Sequence, residues 1–440
     1  MTPGVLEIEP SAPLTAAASP RLLEAGPASE AQQSAWDTFR SLPAPARTDE
    51  AYRFSTIKAL DLSRFSAALP VEDSAREELL ARSVGVEKSA GRMVFANDAL
   101  LSREVYHAQL EQKGVLWLPL EQALAEHGEL VRSRFMREEA ILGGGKFAAL
   151  HASQVRAGTF LYVPRGVEIE FPVEAFHWLH GSGGSCFPHT LIVAEPMSKV
   201  TFVDYFESAD STAPGFACGV NDLWLGDGAQ VTYVCSQVWS SQALAVQINS
   251  TVVGRDGAAK ALTLNVGSRY ARSESVSHLR GAGGRSDMLA VAIADDSQEF
   301  DQRTFQVHEA PNTSSDLLYK NALDEKSRTI FSGLIRVSPG AHKTDAYQKV
   351  RNLLLSDDAE ANSMPGLEIE ADDVRCTHGA TSGQIEAEEL FYLQSRGIPL
   401  KEAQRLVVYG FLDEVFDRLK NDAVSSRLCS MLHAKFDAKH

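Results

Sequence analysis

The spacing of apolar residues changes twice along this chain. Before about residue 145 it is mostly helical: Ala35, Trp36, Phe39 and Leu42 share one helix face, and Pro43 and Pro45 end that helix. Segments 74–83 and 120–126 repeat the helical pattern, with a short extended piece at 115–118. From about Gly158 the spacing drops to two, with tight turns between the runs, as strands require. After Glu386 it lengthens again. Leu400, Ala403, Leu406, Val407, Phe411, Val415 and Leu419 fall on one face at three- and four-residue steps, with Pro399 suited to a first turn. Val424, Leu428, Met431, Leu432 and Phe436 predict a further helix. The pattern thus divides the chain into a disordered tail over 1–30, rich in Ala, Pro and Ser, a mostly helical domain over 31–145, a β core over 146–386 and a helical domain over 387–440.

Within the β core, LIVAEPMSKVTFVDYF (191–206), LWLGDGAQVTYVCSQV (223–238) and STVVGRDGAAKALTLNV (250–266) share one form: an apolar strand, a turn, then an alternating strand. Val200, Val231 and Ala261 hold matching places, at intervals of 31 and 30 residues. Asp227-Gly228 and Asp256-Gly257 supply turn residues at equivalent positions. No helical stretch separates the units, so a stacked β-solenoid explains them better than βαβ alternation. A β-sandwich is the alternative.

The formal charge of −16 argues against binding nucleic acid through its phosphates or docking on an anionic membrane, and favours protein partners. No segment approaches the roughly 18 uninterrupted apolar residues of a membrane helix. The five cysteines (Cys186, Cys218, Cys235, Cys376, Cys429) are widely spaced without a C-x-x-C pair, which fits a reducing compartment and writes no self-contained metal site. Glu7, Glu9, Glu24 and Glu30 distinguish the first 30 residues from a secretory signal or transit peptide. A cytoplasmic protein is expected.

Residues 368–385, EIEADDVRCTHGATSGQI, hold the densest set of candidate ligands. Leu367, Ile369 and Ala371 alternate with polar residues, and Val374, Cys376, His378 and Ala380 resume in the opposite parity after Asp372 and Asp373. That shift predicts a corner between two strands, with Cys376 and His378 on one face about 7 Å apart and Arg375 and Thr377 on the other. A thiol beside an imidazole suits zinc, iron or a sulfur-bearing intermediate. Two ligands do not close a site, and a C-x-H in a strand also reads as a buried thiol beside a hydrogen-bonded histidine. Other constellations read more plainly. His177, His180, Cys186 and His189 lie in FHWLHGSGGSCFPH (176–189), whose glycines predict a flexible hairpin with surface histidines. Gly143, Gly144, Gly145 and Lys146 lack P-loop spacing, and Phe147 stands where Ser or Thr would bind magnesium, so a loop before a helix is expected and no ATP hydrolysis. Cys429 and His433 read as the edge of an amphipathic helix. Asp295-Asp296 and Asp372-Asp373 invite a carbohydrate-active reading, but adjacent strand residues face opposite ways.

From Phe331 to Phe411 the chain, including FSGLIRV and LLLSDDAEANSMPGLEIEADDVRCTHGATSGQIEAEELFYLQSRGIPLKEAQRLVVYGF, closely resembles the SufB/SufD family of iron-sulfur cluster assembly proteins. The Arg375–Thr381 segment, RCTHGAT, is similar to the SufD branch, whereas SufB proteins carry a glutamate-bearing segment there and a cysteine-rich N-terminal half that this chain lacks. The resemblance implies a mainly β fold, a right-handed parallel β-helix flanked by N-terminal and C-terminal helices. It implies a non-catalytic scaffold subunit that pairs with a SufB-type subunit through the β-helix edge and with a SufC-type ATPase through the helical face carrying Leu400, Ala403, Leu406, Val407, Phe411 and Val415. The family's interface histidine falls on His378 and the neighbouring thiol on Cys376, implying that His378 is a metal ligand of a nascent iron-sulfur cluster shared with the partner. The isolated chain would bind no cofactor tightly and could form a homodimer. A β-helix enzyme acting on polysaccharide and a SufB-type main scaffold are the alternatives.

Overall fold

The computed structural model describes Leu14 and residues 27–107 and 109–437. The tail expected over 1–30 lies outside the described residues, apart from Leu14 and the opening of helix Pro27–Ser41. Strands alternate between two facing ten-stranded sheets, so that each pair of successive strands makes one coil of a parallel β-solenoid of about 8 turns. A sandwich of antiparallel strands is thereby excluded. From Val173–Leu179 onward each strand pairs in parallel with the strand one coil away. At the other end of the chain's path the sheets take in antiparallel pairs, Gly91–Ala96 with Ala99–Val105 and Leu116–Pro119 with Gly158–Val163.

The coil corners explain the turn residues. Several hold one residue with left-handed backbone, and Met197, Gly228, Asp256, Asp296 and Glu325 occupy that place with φ between 51° and 67°. Glycine takes this conformation without strain, and aspartate tolerates it. Gly228 and Asp256 are therefore equivalent, which corrects the alignment drawn from the Asp-Gly pairs. Val200 does face Val231, but Val231 faces Ala259, and Ala261 lies beside Tyr233. Matching the two Asp-Gly dipeptides shifts the third unit, because the left-handed site is filled by glycine in one and aspartate in the other.

The solenoid interior is built from one residue in two. Phe202, Tyr233, Phe206 and Leu225 fill its earlier coils and Phe300 a later one, and all are at most 5% exposed. Toward the last coil polar residues enter it as a ladder: Gln302 Nε2 donates to Asn321 (3.1 Å), Asn321 Nδ2 to Asn352 (2.8 Å), and Asn352 Nδ2 to Ser363 (3.3 Å) and Ser382 (3.2 Å). Such stacking satisfies buried amides one coil from the next.

Both outer faces are covered. The N-terminal segment lays Trp36, Phe39, Tyr52, Phe65, Phe147 and Leu150 against Phe216, Val246 and Tyr270 of one sheet. Helices Leu400–Asp417 and Asp422–Asp437 cover the other, as the spacing of apolar residues predicts. Their packing face differs from the expected stripe. Ala403, Val408, Leu412, Val415, Phe416 and Leu419 are buried, whereas Leu400 and Leu406 are 47% and 43% exposed. Val408, Leu412 and Phe416 adjoin other apolar residues in the sequence, so the spacing fits two faces and only the sheet chooses between them. Each fully buried leucine here contributes about 1.5–3 kcal/mol. Among the described residues no helix is long and apolar enough to cross a membrane.

Candidate functional site

The last coil consists of strands Glu360–Ile369 and Arg375–Gln384, each at the edge of its sheet. The corner between them falls where the parity shift predicts, with Asp373 left-handed at φ 53°. His342 clamps it, its Nδ1–H donating to the Asp372 carbonyl at 3.0 Å.

Register fixes where the candidate ligands point. Cys376 pairs with Ala346, His378 with Gln348 and Ala380 with Val350, one coil below. Ala346, Gln348 and Val350 are at most 1% exposed, whereas Tyr347 between them is 41% exposed. Cys376 and His378 therefore belong to the inward column, and Arg375 and Thr377 face out. No further coil covers them, so His378 is exposed at the mouth of the solenoid and Cys376 is half-buried against Ile335, Val337 and Ala346.

The two donors differ in readiness. Burial pushes the Cys376 thiol up, and the Asp345 carboxylate adds to that, which disfavours the thiolate that a metal needs. The His378 imidazole is the more accessible group. Two such donors would be half of the four that an iron-sulfur cluster usually takes. Among the described residues no group of three or more His, Cys, Asp or Glu could hold a metal ion. This chain's residues fit one side of such a site.

The edge itself is unguarded. Between Cys376 and Gly383 the last strand carries no lysine, glutamate, aspartate or proline, the residues that ordinarily blunt an exposed edge. Beside it, a groove of about 950 Å³ separates the last coil from the C-terminal helices, lined among others by Arg351, Thr381, Tyr392, Val407 and Phe411. Of the six helix residues that the resemblance assigns to docking, Ala403 and Val415 are buried, Val407 and Phe411 are half-buried and Leu400 and Leu406 are exposed. Phe391 and Tyr392, 72% and 58% exposed on helix Ala387–Ser395, extend that apolar surface and carry no signal in the periodicity of their short helix.

The remaining constellations are structural. The histidine-rich stretch 176–189 is not a flexible hairpin with surface histidines. His177, Cys186 and His189 are at most 3% exposed within strands. Asp204 holds His177, whose Nε2 lies 3.2 Å from it, whereas His189 Nε2 lies 3.4 Å from Asp222 without hydrogen bonding to it, and His189 Nδ1 meets His151 Nε2 at 3.1 Å. Asp204 also accepts from Thr190 (2.7 Å) and Tyr233 (2.6 Å). The 143–146 stretch is a loop leading into helix Gly145–Gln154, as expected. Its Gly144 N–H donates to buried Glu274 at 2.9 Å, and Lys146 Nζ donates to the Phe39 and Leu42 carbonyls that end the first helix. Asp295 and Asp296 sit at a coil corner, paired with Lys435 and Arg269 respectively.

Residues 177–411 match the family model for the SUF system FeS cluster assembly SufBD core domain, and residues 24–175 match that for the SufBD protein N-terminal region. The iron-sulfur cluster assembly protein SufD of Bacillus subtilis is 34% identical over 336 residues, covering 74% of this chain and 75% of that protein. An iron-sulfur cluster assembly SufBD family protein of Staphylococcus haemolyticus is 28% identical over 315 residues, covering 71% of this chain and 68% of its own length. One of Staphylococcus aureus is 27% identical over the same length. Solenoid, open last coil and these likenesses agree, and the chain belongs to the SufB/SufD family of iron-sulfur cluster assembly proteins, on its SufD side.

Proposed function

We propose that this chain is a non-catalytic scaffold subunit of a cytoplasmic assembly complex, contributing His378 as one ligand of a nascent iron-sulfur cluster at an interface with a SufB-type subunit. The observation that carries this reading is the position of His378: inward-facing, exposed, and on an unprotected edge strand. A related solenoid that continues the sheet along that edge satisfies the unpaired backbone groups and closes the mouth over the imidazole. The cluster is cargo, and the partner supplies the thiols that this chain lacks. Alone, two copies pair through the same edge and bind no cluster tightly.

In the complex co-purified with its SufB-type and SufC-type chains, His378→Ala should lower iron and sulfide content roughly tenfold or more, the scale on which metal sites respond to loss of a ligand or its support. The variant should melt as the parent does, since His378 is exposed. Unchanged iron and sulfide would reject the ligand role.

The SufC-type ATPase docks on the exposed apolar surface of the C-terminal helices, through Phe391, Tyr392, Leu400 and Leu406. Removing these helices would strip the outer face of a sheet, so point changes are the cleaner test. Leu406→Asp with Phe391→Asp should weaken ATPase co-purification at least tenfold, about 1.4 kcal/mol or more, without lowering the denaturation midpoint. Undiminished ATPase binding would place docking elsewhere.

A further inference from the structure

Directly beneath His378 the solenoid carries a side chain that its own packing does not use. Gln348 is fully buried, and both its Nε2 and Oε1 lack a hydrogen-bond partner among the described residues. An unpaired buried amide costs about 1–3 kcal/mol. An apolar residue removes that cost, and the position one coil below holds one, Leu317. The opposite wall is nevertheless shaped around the amide. A Cβ on Gly333 would collide with Gln348 Nε2 and with Thr304 Oγ1, and the Thr304 hydroxyl is likewise unpaired. Gly333 thus leaves room beside both unpaired groups.

We propose that Gln348 is a positioning residue for His378. The two are Cα partners in one inward column, and adjacent strands lie about 4.8 Å apart, so a glutamine side chain reaches the ring above it. Turned about its terminal bonds, the unpaired Gln348 Oε1 accepts from the ring N–H that points into the solenoid, with Nε2 left on the side of Gly333 and Thr304. This fixes the tautomer and leaves the other ring nitrogen bare toward the mouth, as the electron-pair donor to iron. Histidine ligands are generally held by such an acceptor behind the ring. Cys376 stands over Ala346, which has no polar side chain, so of the two donors only the imidazole has an orienting group beneath it. The inference rests on His378 being a ligand and adds what aims it.

The test uses the full chain labelled with ¹⁵N histidine and reads the ring-nitrogen shifts of His378, assigned by their loss in His378→Gln. The parent should show the two widely separated shifts of a single tautomer. Gln348→Met, which keeps the length and removes the amide, should show the averaged shifts of a tautomer mixture, whereas Gln348→Glu retains the acceptor and should keep one tautomer. Averaged shifts in the parent, or identical spectra in the parent and Gln348→Met, would overturn the proposal. Were the Met variant unable to fold, averaged shifts in Gln348→Glu would overturn it and a retained single tautomer would support it. The readout needs no cluster, so failure of the ligand role in His378→Ala and failure of the tautomer lock remain separate results.

Discussion

Arg272→Met should destabilise the protein by roughly 3–5 kcal/mol, more than a hundredfold in the folding equilibrium, because it strands buried carboxylates. Arg272, Glu274 and Asp301 are at most 1% exposed on the outer face of a sheet, beneath the N-terminal segment. Arg272 Nε donates to Glu274 at 2.7 Å and its Nη1 to Asp301, while Nη2 caps the carbonyls of Ala51 (3.0 Å) and Leu142 (2.8 Å). Arg303 Nε and the Ser55 hydroxyl complete Asp301, both at 2.6 Å. The network therefore ties two N-terminal loops to the solenoid. Burial raises the Glu274 carboxyl above its ordinary range in spite of the arginine beside it, so the ion pair does not fully offset the desolvation of its acid. It follows that Arg272→Met combined with Glu274→Leu should recover only the part of the loss due to the stranded Glu274, since Asp301 and the Ala51 and Leu142 carbonyls remain without their donor. The denaturation midpoint measures the cost, and amide exchange at residues 50–57 reports whether the segment is released. An unshifted midpoint in the single variant would show that the network does not clamp the fold.

These charges also mark where reading the sequence falls short. Alternation exposed the solenoid, and the parity shift at Asp372-Asp373 located the last corner and the face shared by Cys376 and His378. What alternation cannot show is which face a polar residue takes. Arg272 and Asp301 carry no signal of their burial in the alternation, yet they lie under a segment more than 200 residues earlier in the chain. Gln348, in AYQKV, is likewise unmarked, although register places it in the interior. The glycine run at 143–145 resembled a phosphate loop because both uses need close backbone approach to an anion. Here the anion is the protein's own Glu274, which a Cβ on Gly144 would strike. His177 and His189 were misjudged because the carboxylates beside them, Asp204 and Asp222, come from later coils. The open last coil, by contrast, was invisible to periodicity, since Arg375–Gln384 alternates like every strand before it. Only the lack of a following strand among the described residues leaves its edge unpaired.

Stability should fall steeply on acidification, and two interior histidines account for much of the fall. Burial holds His308 down to about 4, and burial, with His189 beside it, holds His151 down to about 3, from an ordinary value of 6.5. His308 shows why. Thr313 donates to the Ala310 carbonyl at 3.0 Å, so it must accept from His308 Nδ1–H at 2.8 Å, which leaves Nε2 to accept from the Ser315 hydroxyl at 2.8 Å. A second ring proton would meet that hydroxyl's hydrogen and force it away, in a site with no carboxylate bonded to the ring. Between pH 6.5 and 4 the unfolded chain binds a proton at this residue and the folded chain does not, so stability drops as pH falls and is unaffected above 6.5. At about 1.4 kcal/mol per unit, His308 alone removes about 3 kcal/mol by pH 4. His308→Gln, neutral at every pH, should therefore reduce the slope of stability against pH by about one proton between pH 4.5 and 6, and leave the slope above pH 7 as it was. Denaturation midpoints taken across that range decide the matter: parallel curves for parent and variant would mean that His308 accepts its proton in the folded state as readily as in the unfolded one.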